Sequence, residues 1–209
     1  MTVIEKIKAT KIVPVVKIDD AADAVALADA LAAGGISCAE VTFRTAAAPD
    51  AIAAIAKARP DFFVGAGTVV NVEQAAKAIE CGAQFLVSPG FSAKVAAYCA
   101  EKNAVLLPGV CTPTEIMAAM EFGLDHLKFF PADAMGGLKT LKALSAPFGS
   151  VKFMPTGGIN AANVRDFLSQ PYIYACGGSW MVPGKMVKEK DWAGITALTK
   201  EAMDVVADL

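Results

Sequence analysis

The stretch VLLPGVCTPTEIMAAMEFGLDHLKFFP, residues 105–131, holds one complete structural repeat. It opens on an apolar run, Val105–Pro108, of the length of a buried strand. A glycine turn through Gly109 follows. Thr112-Pro113-Thr114-Glu115 then supplies a helix N-cap, a proline at the first helical position and a capping-box glutamate. Gly123 stands where that helix should end, and a second apolar run, His126–Phe130, comes next. A strand, a capped helix and another strand in this order predict parallel strands joined by a crossover helix.

The same order recurs on both sides. Upstream candidate strands are Val13–Val16, Cys38–Phe43, Phe62–Gly65 and Phe85–Ser88; downstream ones are Val151–Thr156 and Ile173–Cys176. Asp19, Asn71, Ser92 and Asn160 read as further helix caps, and Gly34-Gly35 and Gly82 as helix ends. The last helix is expected from near Asp191 towards Leu209. About eight strand–helix units in one chain suit the (β/α)₈ barrel. The expected fold is therefore α/β, a TIM barrel, in a single compact domain over residues 1–209 with a short N-terminal helix.

Composition supports a packed domain and narrows the function. Of 209 residues, 55% are hydrophobic and 19% charged, which predicts a large core and little disorder. The formal net charge of -2 and the lack of a basic tract argue against nucleic acid as a partner. The alanine-rich stretch 21–33 contains Asp23 and Asp29, so it reads as a packed helix and no membrane span is expected. The first residues show no uninterrupted apolar run of a secretory signal. Five cysteines without a pairing pattern suit a reducing compartment, so a cytoplasmic location is expected. With a single histidine, His126, and no ligand cluster, neither a metal nor another cofactor is expected.

Strand parity locates the chemistry. Glu40, Thr42 and Arg44 share one face of their strand, and Val41 and Phe43 the other. The apolar pair can pack on helices, which turns the polar set towards the barrel interior and its C-terminal mouth. In the same way Leu127 and Phe129 can face helices, leaving Lys128 inside. Desolvation disfavours an ammonium ion, and a neutral amine can attack a carbonyl to form an imine. Two plainer readings stay open: a structural ion pair among these residues, or a lysine whose amine reaches solvent. Late in the chain, Pro155-Thr156-Gly157-Gly158-Ile159-Asn160 and Cys176-Gly177-Gly178-Ser179-Trp180 read as glycine turns after strands seven and eight. Such turns offer backbone N–H groups to an anion, and barrels often bind phosphate there. Thr68, after the third strand, is read either as a carboxylate ligand or as a local cap. Cys111 is read as a bystander thiol and His126 as a core histidine.

Together the motifs Val13-Pro14-Val15-Val16, Glu40-Val41-Thr42-Phe43-Arg44-Thr45, Gly65-Ala66-Gly67-Thr68-Val69, Ser88-Pro89-Gly90, Lys128-Phe129-Phe130-Pro131-Ala132, Pro155-Thr156-Gly157-Gly158-Ile159 and Gly177-Gly178-Ser179-Trp180 closely resemble the family of 2-dehydro-3-deoxy-6-phosphogluconate (KDPG) and 4-hydroxy-2-oxoglutarate aldolases. The resemblance runs through nearly the whole chain. It implies a class I aldolase that yields pyruvate and glyceraldehyde 3-phosphate from a phosphorylated 2-keto acid. It casts Lys128 as the Schiff-base lysine, Glu40 as the general acid and base, and Arg44 and Thr68 as ligands of the pyruvyl carboxylate. Gly157, Gly158 and Ser179 become a phosphate cradle, and Thr156 a neighbour of the substrate C4 hydroxyl. Pro89 and Phe130, within matching motifs at strand ends, join as substrate-lining candidates. A homotrimer is implied as well. Rival readings are an aldolase for another 2-keto-3-deoxy sugar acid, such as the galactonate epimer, a phosphosugar isomerase or epimerase, and a non-catalytic phosphosugar-binding barrel.

Overall fold

The computed structural model describes all residues 1–209. Along the first half, α1 (Val3–Thr10) leads into β1 (Ile12–Val16), α2 (Ala24–Ala33), β2 (Cys38–Thr42), α3 (Ala48–Ala58), β3 (Phe63–Gly67), α4 (Val72–Glu80) and β4 (Leu86–Val87). Then follow α5 (Ala93–Glu101), β5 (Leu106–Leu107), β6 (Gly109–Val110), α6 (Pro113–Met120) and β7 (His126–Phe129). The chain finishes with α7 (Gly137–Ser145), β8 (Lys152–Pro155), α8 (Val164–Leu168), β9 (Cys176–Gly178), α9 (Gly184–Glu189) and α10 (Trp192–Val205).

All strand pairs are parallel, and the sheet curls around a shared interior. Its hydrogen-bonded ladder comes in two sections, β5-β4-β3-β2-β1-β9 and β6-β7-β8. Pro108 makes the break between β5 and β6. It has no N–H to give, and its carbonyl accepts from the Lys128 N–H at 2.9 Å. Leu106 and Leu107 therefore pair with β4, while Gly109 and Val110 pair with β7. On the other side, single bridges Phe153↔Ile173 and Thr156↔Gly177 link β8 to the segment that becomes β9. From Phe153 to Thr156 is three steps, and from Ile173 to Gly177 is four. One extra residue is thus accommodated as a bulge, which re-aims side chains locally.

One cluster of 57 buried residues forms the core. Helix α1 is closed by a capping box between Thr2 and Glu5 and buries Ile7. Lys11, just after it, donates from Nζ to the Val206 carbonyl at 2.8 Å, so the two chain ends are tied. Helix α10 lies on α2, where a β-carbon at Gly34 would strike Thr199. No helix is long and apolar enough to cross a membrane.

Most local expectations hold, with five corrections. Gly109, read as a turn, lies in β6 and pairs with Lys128. The last strand is β9, Cys176–Gly178, so Gly177 and Gly178 are strand residues paired with Val13 and Pro14 and not a turn. Glycine is needed at Gly177 because a β-carbon there would meet the Thr156 hydroxyl. Asp20, and not Asp19, caps the short 3₁₀ turn before α2, accepting from the Ala22 N–H. Asn160 orders a turn by accepting from Ala162, but α8 starts only at Val164. His126 is part-exposed at the start of β7, where Nδ1 meets Asp125 at 2.7 Å, and so is not a core residue.

Thr112 and Glu115 form the expected capping box on α6. Thr112→Ala should cost about 1 kcal/mol of folding stability, read as a lower urea midpoint at unchanged slope. An unchanged midpoint would show that the cap contributes nothing.

Candidate active site

Strands β2 and β7 are not neighbours in the sheet, so a contact between their side chains spans the interior. Glu40 from β2 and Lys128 from β7 make that contact, with Nζ 3.3 Å from Oε1. The two residues are 1% and 5% exposed. A charged group this dry is tolerated only when paired. The other carboxylate oxygen, Glu40 Oε2, has no protein partner. Phe130 closes one side of the amine, with Nζ 5.2 Å from the ring centroid. The third strand makes room: a β-carbon at Gly67 would collide with the Glu40 carboxylate, and one at Gly65 with the Phe85 ring.

Above this pair lies the mouth. Parity reasoning placed Arg44 inside with Glu40 and Thr42, but β2 ends at Thr42, and the following turn carries Arg44 to the exposed rim. Its Nε donates to Thr42 Oγ1 at 3.1 Å, and that hydroxyl donates to the Val16 carbonyl at 2.9 Å. The guanidinium is therefore held at the rim by a buried threonine. It lines a cleft of about 180 Å³ with Val15, Phe130, Thr156, Gly157, Gly158, Ile159, Gly178 and Ser179. Six of the ten residues singled out in the sequence thus share one cleft, with Glu40 and Lys128 in contact with each other and Lys128 against the cleft residue Phe130.

The cleft's glycines are there for backbone reasons. Gly157 and Gly158 have φ of 96° and 82°, a region open chiefly to glycine. The Gly158 carbonyl accepts from Asn163 Nδ2 at 2.9 Å and from Asn160 Nδ2 at 3.3 Å. Buried Ile159 anchors the same turn. The Thr156 hydroxyl is buried without a partner.

Thr68 and Pro89 follow β3 and β4 at the same end of the sheet but are not walls of this cleft. Thr68 has φ of 58°, a strained conformation for a β-branched residue. The Pro89 carbonyl lies where a β-carbon of Gly109 would be. Cys111 is part-buried, and burial, then Glu115, pushes its thiol up, which opposes a thiolate. Sequence reading left out three of the nine lining residues, Val15, Ile159 and Gly178, none of which has a polar side chain to signal a site.

A buried amine against a carboxylate, beneath a cleft lined by a guanidinium and left-handed glycine backbone, can form an imine and move protons around it. The closeness of Gly67 to Glu40 gives a test. Gly67→Ala should destabilise the fold by about 1–3 kcal/mol, the usual cost of overpacking. Urea unfolding measures this, and an unchanged midpoint would mean that Glu40 is not pressed against β3.

A model of the family described as KDPG and KHG aldolase matches residues 3–198. The chain is 45% identical to a 2-dehydro-3-deoxy-phosphogluconate aldolase of Treponema pallidum, covering 99% of this chain and 98% of that protein. It is 46% identical to a KHG/KDPG aldolase of Escherichia coli, covering 92% and 91%. Among solved structures it is similar to KDPG aldolase of Legionella pneumophila, at 40% identity and a TM-score of 0.92, covering 95% and 97%. That enzyme was captured with pyruvate as a covalent carbinolamine. With such matches along almost its full length, the chain belongs to the KDPG and KHG aldolase family.

Proposed function

We propose that this chain is a class I aldolase that cleaves 2-dehydro-3-deoxy-6-phosphogluconate to pyruvate and glyceraldehyde 3-phosphate. The single observation that carries the reading is the Lys128–Glu40 contact across the sheet interior, 3.3 Å long and almost fully buried. In this reading Lys128 passes a proton to Glu40, and the freed amine attacks the substrate C2 carbonyl. Glu40 passes protons as the carbinolamine loses water to become an imine. The protonated imine draws electrons from C3. Glu40 takes the C4 hydroxyl proton, the C3–C4 bond breaks, and the aldehyde leaves. Protonation of the remaining enamine at C3 and addition of water release pyruvate and free the amine.

The rim residues then bind the two ends of the substrate. Arg44 grips the pyruvyl carboxylate in two charge-assisted hydrogen bonds, with Thr68 as a second ligand. Gly157, Gly158 and Ser179 hold the phosphate through backbone N–H groups and a hydroxyl. Thr156 meets the C4 hydroxyl, which suits its buried and unpartnered oxygen. Phe130 and Pro89 wall the reacting carbons. The strained φ of Thr68 fits a residue held for ligand binding at the expense of stability. A second substrate, 4-hydroxy-2-oxoglutarate, is favoured by the paired name of the family. It lacks a phosphate and would leave the glycine cradle empty.

The bridges between β8 and β9, with the chain passing Pro108 from β4 to β7, support closure of the sheet into a (β/α)₈ barrel in a single domain over 1–209. A homotrimer is part of the proposal, and exposed Val70, Met117, Met120, Phe122 and Met135 supply apolar surface for it. Five free cysteines fit a cytoplasmic location.

Pyruvate release from the phosphorylated substrate tests the function directly. Lys128→Ala should abolish it. Glu40→Gln should lower kcat by about 100- to 10,000-fold, the usual share of general acid–base catalysis. Turnover by Lys128→Ala at the wild-type rate would refute the mechanism. Turnover of a galactonate epimer in preference to the gluconate would move the substrate assignment.

A further inference from the structure

Three side-chain oxygens facing the interior are buried without a protein partner: Glu40 Oε2, Thr156 Oγ1 and the Tyr174 hydroxyl. The first two belong to the proposed reaction. Tyr174 does not, and no sequence motif picked it out. It is 5% exposed, and the bulge between Ile173 and Gly177 turns it inwards. Its ring stands edge-on to His126, with centroids 5.0 Å apart at 76°. Tyr174 thus sits at the level of His126, two residues before Lys128 on β7, as part of the floor of the interior, and it is near enough to Glu40 to feel its charge.

A buried phenol almost always finds a hydrogen-bond partner, and an unpaired buried hydroxyl is costly. Phenol and carboxylate are complementary here, one with a hydrogen to give and one with a free lone pair to receive it. We propose that Tyr174 is a positioning residue that donates, through an enclosed water, to Glu40 Oε2 and so fixes the carboxylate facing Lys128. This rests on the aldolase reading of Glu40.

The surroundings keep the phenol a donor. Burial, followed by the negative charges of Glu40 and Asp125, pushes Tyr174 well up, so it stays protonated at working pH. The other titratable groups around the floor are Lys128 and His126 from β7, Asp125 beside it, Cys38 from β2 and Cys176 from β9. Burial pushes the Cys38 and Cys176 thiols up as well, and Glu40 adds to this at Cys38, so neither is an anion that could compete.

The test is Tyr174→Phe, which keeps the ring on His126 and removes only the oxygen. Its kcat should fall about fivefold, the value of one ordinary hydrogen bond. KM should stay within about twofold of the wild-type value, because the change acts on proton passage and not on substrate binding. In a Glu40→Gln background the same change should have no further effect on kcat. An unchanged kcat, or an undiminished kcat loss on top of Glu40→Gln, would overturn the proposal even if thermal stability fell. If the wild-type enzyme releases no pyruvate, the aldolase reading fails first; if it does and Tyr174→Phe keeps the wild-type kcat, only the role of Tyr174 fails.

Discussion

Holding an amine and a carboxylate 3.3 Å apart in a place almost without water constrains most of this fold. Neither group could be there alone, since one buried charge without its partner costs about 3–5 kcal/mol. The pair must also come from strands on opposite sides of the interior. That requires a curled sheet, with β2 and β7 brought face to face by parallel pairing through β1, β9 and β8. Space for the carboxylate comes from Gly67, whose missing side chain is filled by Glu40. Space for the substrate comes from ending β2 at Thr42, so that Arg44 swings to the rim and leaves the centre open.

The surrounding parts divide the work by rigidity. Strand residues carry the reacting groups, and the turns after them carry the binding groups. The rim is nonetheless well tied, since Arg44 leans on Thr42 and the Gly158 carbonyl is held by two asparagines. Preorganisation of this kind lets binding energy go into orienting the reacting carbons instead of ordering the protein. The orphaned oxygens of Glu40, Thr156 and Tyr174 mark where the interior stays polar and where catalysis and floor meet.

Much of this was legible in the sequence because local rules and chemistry agreed. The Thr112 to Glu115 cap, the strand parity of Lys128 and the position of Glu40 follow from side-chain type and spacing alone. Other features depended on long-range contacts that spacing does not encode. Gly177-Gly178 looks like a turn until β1 pairs with it, and then the lack of side chains is explained by the hydroxyl of Thr156 opposite. Arg44 keeps the right parity, yet the strand before it stops at Thr42, one residue sooner than its pattern suggests. Tyr174 looked like an ordinary aromatic in an apolar run, because a bulge set by pairing with β8 cannot be read from one strand. Thr68 carried a chemical signal but not its strained backbone, which only the fold imposes.

The central claim is that Lys128, and no other amine, captures the keto acid. Borohydride reduction in the presence of pyruvate, followed by peptide mapping by mass spectrometry, tests it most directly. The account predicts one stable pyruvyl adduct, located on the peptide containing Lys128. An adduct on another lysine, or none with active enzyme, would contradict it.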